Sequence, residues 1–358
     1  MNELPDHLPI LDGRGTGPLP GPVYAEREIT EAVDLCDVSG RLNPGAVGFA
    51  RRPLVRANLS GHWPRKKRWN FWNWIGPDAV FSVTLADIDL ASFCEFTLID
   101  FRDGTQWTGG SYGLPGRIAL SERVEADVAF SGGSIEYANR SAGADLAVHF
   151  RGRARDGTPI AADFSVRRPA PHESLNIVVP WSATRFQCNS KHAALPCAGE
   201  IRADDRRYAV EPRDWFAVQD WGRGIWPYRS FWNWGVATGW AEGVLLGVNV
   251  GARWTTGTGV NENGILCDGR LHKVMEDLRW EYDPVEWRRP WRVVAEHSGA
   301  LDLVLEPVVA HRPRVNLGVL ATGGVCAFGR WRGSVRVEGR DIPVDGLVGW
   351  AEEFAHRW

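Results

Sequence analysis

The sequence predicts an all-β protein built from two tandem units of short antiparallel strands, as barrels or sandwiches packed together, with few short helices. Three observations predict it. A four-residue word recurs: Phe71-Trp72-Asn73-Trp74 follows Trp63-Pro64, and Phe231-Trp232-Asn233-Trp234 follows Trp226-Pro227. The two copies lie close to half a chain apart, the spacing expected of two related units. Short stretches of alternating polar and apolar residues dominate, without the strand–helix alternation of an α/β protein. The 40 Gly and 22 Pro are spread between these stretches as turn punctuation.

The elements follow in order. Residues 1–26 are polar and rich in Pro and Gly and read as an irregular arm; residues 27–202 form the first barrel and 203–358 the second. Alternation marks strands at 80–85, 93–101, 146–150 and 161–166 in the first unit, and at 244–250 and 301–305 in the second. Residues 334–338 and 342–345 flank Gly339-Arg340, which reads as a hairpin turn. Residues 270–281 carry apolar positions at helical spacing and predict one short helix. Closed barrels leave no open sheet edge and can enclose a ligand.

Composition excludes several classes. A chain of 358 residues with a net charge of −3 has no extended basic tract for nucleic acid; the run Arg65-Lys66-Lys67-Arg68 is local and suits a phosphate, an acidic headgroup or a solvated strand entrance. No run of about 18 apolar residues could span a bilayer as a helix, and no apolar signal core opens the chain. A cytoplasmic protein is expected. Its six cysteines include no Cys-x-x-Cys pair, and its nine histidines no i, i+4 pair, so free thiols are expected and neither metal nor cofactor is indicated. The 19 Trp against 6 Tyr and 2 Met are the compositional extreme. Trp supplies a broad, stiff apolar face with one N–H donor, suited to β-sheet cores and to the wall of a cavity for a hydrophobic small molecule.

The densest chemistry lies between Gln219 and Gly235. Asp220, Trp221, Arg223, Trp226, Tyr228, Arg229, Trp232, Asn233 and Trp234 place a carboxylate and two guanidiniums among four Trp. Asp220 is a candidate acid or a partner for Arg223 or Arg229; a structural turn around Gly222 and Gly224 is the competing reading. In 244–251 the apolar residues share one face, while Leu245, Gly247, Asn249 and Gly251 share the other, which suits a pocket floor carrying Asn249 or close packing on another strand. Trp254 belongs with this group, and Asn261-Glu262-Asn263 read as a polar loop. Trp72 and Asn73 are the matching candidates on the first aromatic strand. His172 is a lone candidate contact, since adjacency to Glu173 and Ser174 on a strand does not make a triad. Asn189-Ser190-Lys191-His192 reads as a polar cluster at the mouth of the first barrel. Near the C-terminal end, Glu352 and Glu353 adjoin Trp350; consecutive strand residues face opposite ways, so one of the two carboxylates can enter a cavity.

These phrases also carry a resemblance. Leu35 to Pro53, Gly61 to Asn70, His172 to Asn176, Asp220 to Gly235 and Gly349 to Glu353 resemble the bacterial family called domain of unknown function 2804, over roughly residues 27–358. The resemblance implies no established activity. The pattern Trp221-Gly222, Trp226-Pro227, Trp232-x-Trp234 is similar to that of tocopherol cyclases and carotenoid 1,2-hydratases. That similarity implies two lipocalin-like barrels and an acid that protonates an alkene in an aromatic cavity, where Trp faces stabilise developing positive charge. Gln219 stands where the hydratases have His, and Asn249 where an Asp is expected. Gln and Asn are not general acids, so the resemblance points to Asp220 or Glu352 as the acid, with a pKa raised by burial. The expectation is a cofactor-independent cyclase, hydratase or isomerase acting on a terpenoid- or lipid-like substrate. The alternative is a non-catalytic carrier of a lipid or pigment.

Overall fold

The computed structural model describes residues 25–143 and 145–358; all but the last two residues of the expected N-terminal arm lie outside them. Two large antiparallel sheets account for nearly all of the described strands. The path of the first runs Gln106–Gly113, Ser92–Asp100, Ala79–Asp87, Lys66–Ile75, Phe216–Ile225, Arg185–Ala203, Pro159–Val166, Asp145–Arg153, Ile135–Ala142, Val128–Gly132. The second runs Arg270–Lys273, Gly264–Cys267, Val244–Ala252, Arg229–Ala241, Arg340–Arg357, Ala321–Val337, Leu301–His311, Trp291–Val294, Arg279–Glu281. Each sheet curls into a barrel-like layer around its own apolar interior. The strand Phe216–Ile225, which the sequence repeat grouped with the second unit, is hydrogen-bonded inside the first sheet, between Lys66–Ile75 and Arg185–Ala203.

Three two-residue turns set much of the second sheet's register. Glu242-Gly243, Asp268-Gly269 and Glu338-Gly339 all have positive φ at both positions. That geometry matches the right-handed twist of the flanking strands and favours Gly. The last of these turns lies one residue earlier than the sequence suggested, because Val337 pairs with Arg340. The predicted helix at 270–281 does not form. Its first residues, Arg270–Lys273, pair back on Gly264–Cys267. The carbonyl of Glu276 accepts from the side-chain amides of Asn261 and Asn263 at 3.1 and 2.9 Å. Tertiary hydrogen bonds here outweigh a helical apolar spacing worth only tenths of a kcal/mol per residue. Among the described residues the one helical turn is a short 3-10 turn, Pro44–Ala46.

Packed side chains fill both barrel interiors. In the first, Trp72 stacks on Trp74 with ring centroids 5.7 Å apart, Trp74 meets Phe164 at 4.8 Å, and Phe81 meets Phe150 at 5.0 Å. In the second, Tyr282 lies flat on Trp291 at 4.1 Å, among Trp280 and Trp331. A third apolar layer joins the outer faces of the two sheets; Phe216, Val218, Trp226, Trp234, Val236, Trp254, Phe328 and Trp350 belong to it. The two copies of the aromatic word contribute to these layers in opposite ways. Trp72 and Trp74 point into the first barrel and leave Phe71 at the junction. Trp232 and Trp234 point into the junction, and Asn233 faces the interior of the second barrel.

Candidate functional site

A cavity of about 340 Å³ opens within the junction layer. Its walls come from both sheets: Trp69 and Phe71, then Asn189 and Lys191, then Asp220, then Trp232 and Trp234, then Glu352, Phe354 and His356. Period-two alternation selects each of these side chains. Trp226 is the hub of the aromatic wall, with ring centroids 4.7 to 6.1 Å from Trp69, Trp181, Trp232, Trp254 and Trp358. Its indole N–H is bound by Gln187 Oε1 at 2.7 Å, which holds the ring in place.

Register brings the polar groups together. Lys191 and Asp220 are cross-strand partners, and Lys191 Nζ lies 3.0 Å from Asp220 Oδ2 and 3.3 Å from Glu262 Oε2. The same ammonium sits 3.8 Å from the centroid of the Trp234 ring. Asn189 Nδ2 donates to Asp220 Oδ1 at 2.7 Å, and the Trp254 indole donates to Glu262. Burial works against the charge on Lys191, but the two carboxylates outweigh it and raise its pKa. Burial raises the pKa of Glu262, with Lys191 opposing. The group is therefore a desolvated ion cluster held by its own partners.

Glu352 lies apart from that ion pair. It is the cross-strand neighbour of Trp234 on one side and Cys326 on the other. Trp232 Nε1 donates to its Oε1 at 2.9 Å, and the Cys326 thiol bonds the same carboxyl. Burial lifts its pKa from 4.5 to about 7, against the opposing pull of Trp232 and Lys191. Near neutral pH this carboxyl is divided between its acid and its carboxylate form, as a general acid requires. Its neighbour Glu353 faces the second barrel, where Tyr282 donates to it and Arg253 NH2 lies 3.3 Å away. His356, two strand positions beyond Phe354, contacts the Trp232 ring at 4.5 Å and Thr322 Oγ1 at 2.8 Å. Burial depresses its pKa to about 3, so it is a neutral imidazole.

Of the residues singled out from sequence, Asp220, Trp226, Trp232, Trp234, Trp254 and Glu352 line the cavity. Asn249 stands one layer behind, accepting from Trp234 Nε1 at 2.8 Å and donating to the Glu262 carbonyl at 2.6 Å. The glycines on its strand face do not floor a pocket. A Cβ on Gly247 would lie 2.9 Å from Ala194 Cβ, and one on Gly251 2.1 Å from Glu262 Oε1; they permit close packing. Trp221 and Arg223 occupy the opposite face of the Asp220 strand. Arg223 is fully buried there, donating to the carbonyls of Trp69 and Ser121 at 2.6 Å and to Asn70 Oδ1 at 3.0 Å. Asn233 donates to Tyr282 Oη inside the second barrel, and Trp72 and Asn73 are buried away from the cavity. Tyr228 is 43% exposed and donates to the Val319 carbonyl at 2.7 Å; Arg229 is likewise outside the lining. His172 meets His192 at 2.9 Å, on the side of its strand away from Lys191.

Sequence reasoning missed Lys191 as a site residue, and with it Glu262, His356, Cys326, Trp69 and Trp358. Lys191 was visible only within a polar cluster assigned to a barrel mouth. The sequence pattern around Glu262 suggests a polar loop, whereas Asn261, Glu262 and Asn263 are all buried. Among the described residues, no group of three or more His, Cys, Asp or Glu is arranged to hold a metal ion. No helix there is long and apolar enough to cross a membrane.

Fold and cavity together define a double-barrel β-protein with an aromatic chamber at the junction of its sheets. The chain belongs to the family described as Domain of unknown function (DUF2804), which matches residues 26–358. Among solved structures it is similar to kievitone hydratase from Nectria haematococca, at 11% identity and a TM-score of 0.47, covering 80% of this chain and 88% of that one. It is also similar to a protein of Nitrosomonas europaea provisionally named ATTH, at 12% identity and a TM-score of 0.41, covering 83% and 97%. No curated protein matches the chain.

Proposed function

We propose that the junction cavity is the active site of an enzyme that protonates an apolar, unsaturated substrate, with Glu352 as the acid. The reaction class is acid-assisted cyclisation, hydration or isomerisation of a terpenoid- or lipid-like molecule. One observation carries the reading: a carboxyl with a pKa near 7 faces a chamber walled by Trp. Proton delivery to a carbon–carbon double bond creates positive charge on carbon. The faces of Trp232, Trp234 and Trp226 supply negative quadrupole density to that charge without offering a nucleophile. Asp220 and Glu262 add negative potential, while Lys191 fixes their positions. In this reading Asp220 tunes the field and Glu352 moves the proton. The paired state of Asp220 also favours a second reading, a non-catalytic binding protein for a lipid or pigment.

One experiment separates the two. Native mass spectrometry of freshly purified protein, followed by organic extraction, identifies the molecule retained in the cavity. That molecule is then incubated with the protein in D2O. The enzyme reading expects a product carrying solvent deuterium on carbon, and loss of that product with Glu352→Gln while the ligand mass is still retained. Retention of an unaltered, undeuterated molecule by both proteins would establish the carrier reading instead.

A further inference from the structure

We infer that the rim of the cavity is a docking surface for an anionic lipid membrane, through which the apolar ligand enters. The inference rests on the reading of the chamber as a site for a lipid-like molecule. The rim is assembled chiefly from segments 62–68, 226–232, 312–322 and 354–358, none of which contains an Asp or Glu; on the remaining side Phe93 and Glu95 line the cavity. Pro313, Thr322, His356 and Trp358 of these segments line the cavity, which places the surface at its edge.

Two kinds of side chain project from this rim. The hairpin formed by Arg314–Asn316 against Ala321–Val337 carries Leu317 and Val319 at its tip, 70% and 68% exposed. Trp63 is 73% exposed. It is tied to the same surface through Arg65, whose guanidinium lies 5.6 Å from the Tyr228 ring centroid and donates to the Trp358 carbonyl at 2.6 Å. Tyr228 in turn donates to Val319 at the hairpin tip. Arg314 stands on the hairpin itself and Arg312 just before it, Arg357 donates to Asn316 at the hairpin at 3.4 Å, and Arg65 reaches it through Tyr228. The carboxylates beside it are engaged: Asp89 by Lys66 at 3.0 Å, Glu122 by Arg68 at 3.4 Å, and Glu95, which lines the cavity, by the Tyr112 hydroxyl.

Exposed Leu, Val, Trp and Tyr ringed by arginine match the chemistry of a bilayer surface. Aliphatic tips enter the acyl boundary, Trp and Tyr settle at headgroup level, and arginines meet lipid phosphates. A membrane-dissolved molecule could then enter the chamber without crossing water. A protein partner would need complementary carboxylates and a shaped surface. A membrane needs only negative charge and apolar depth, which is what this rim is built to meet.

The test is cosedimentation of the full chain with vesicles of phosphatidylcholine alone and with about one-third phosphatidylglycerol, at low and high salt. Binding is expected to the anionic vesicles, to weaken with salt, and to fall about fivefold for each rim arginine neutralised, as in Arg312→Gln and Arg314→Gln. The double variant Leu317→Asp/Val319→Asp alters only exposed tip residues and is expected to weaken binding at least about tenfold. Absence of binding, or binding indifferent to these variants, overturns the inference. So does a wild-type dimer, seen by light scattering, that the double variant splits into monomers, because the face would then be a contact between copies. Glu352→Gln protein is expected to bind vesicles like the wild type. Failure of the chemistry and failure of the membrane surface are therefore read out separately.

Discussion

Replacing Glu352 by Gln tests the physical basis of the proposed acid without knowledge of the substrate. Burial holds the Glu352 carboxyl near 7 in the folded protein, against 4.5 when unperturbed. A group whose pKa is raised on folding adds stability below its unfolded pKa and loses it as pH rises through the folded value. At about 1.4 kcal/mol per pKa unit, the rise corresponds to about 3 kcal/mol. Wild type should therefore lose about 3 kcal/mol from this group between pH 4.5 and pH 8. Gln has nearly the same shape, carries no charge, and can still accept from Trp232. All other titrations are common to the two proteins and cancel in the difference. Urea denaturation of both at pH 5, 6, 7 and 8 should show Gln gaining on Glu by about 2.5 kcal/mol from pH 5 to pH 8, with nearly all of the gain made by pH 7, between the unfolded and folded pKa values. A difference that stays flat across the range, or one that favours Glu at high pH, would refute the claim that Glu352 is a desolvated carboxyl titrating near neutrality. The proton-donor reading would fall with it.

Two further outcomes follow from the same contacts. Lys191→Met leaves Asp220 and Glu262 buried without their cation and is expected to cost about 3 kcal/mol in chemical denaturation; a loss below about 1 kcal/mol would show that the cluster is solvated rather than desolvated. Trp232→Phe removes the N–H that favours ionised Glu352 and is expected to move the carboxyl's titration upward by roughly half a pKa unit or more, read by carbon NMR of labelled Glu or by the pH limb of turnover. A downward move would contradict the assignment.

Much of the fold was legible in the chain because strands announce themselves locally. Alternation at 80–85, 146–150 and 161–166 lies within Ala79–Asp87, Asp145–Arg153 and Pro159–Val166. The X-Gly turns needed only a residue tolerant of positive φ. The segment 270–281 misled because its apolar spacing is local, whereas the hydrogen bonds from Asn261 and Asn263 that decide its path come from elsewhere in the chain. The site was harder still. Alternation separates Asp220 from Trp221 and Arg223, and Glu352 from Glu353, but it does not say which face meets the cavity.

By itself, the sequence determined that this is a Trp-rich, all-β chain with a repeated aromatic strand, and that a carboxylate near residue 220 or 352 lies among Trp. These are properties of local alternation and composition. The tertiary structure alone decided which face of each strand looks where. The identical words Phe71–Trp74 and Phe231–Trp234 line opposite sides of their sheets, so Trp72 fills a core while Trp232 grips Glu352. Lys191 meets Asp220, and Cys326 meets Glu352, through strand register. Register is fixed by turns and by the packing of distant strands, and a shift of one residue would exchange every inward side chain for an outward one.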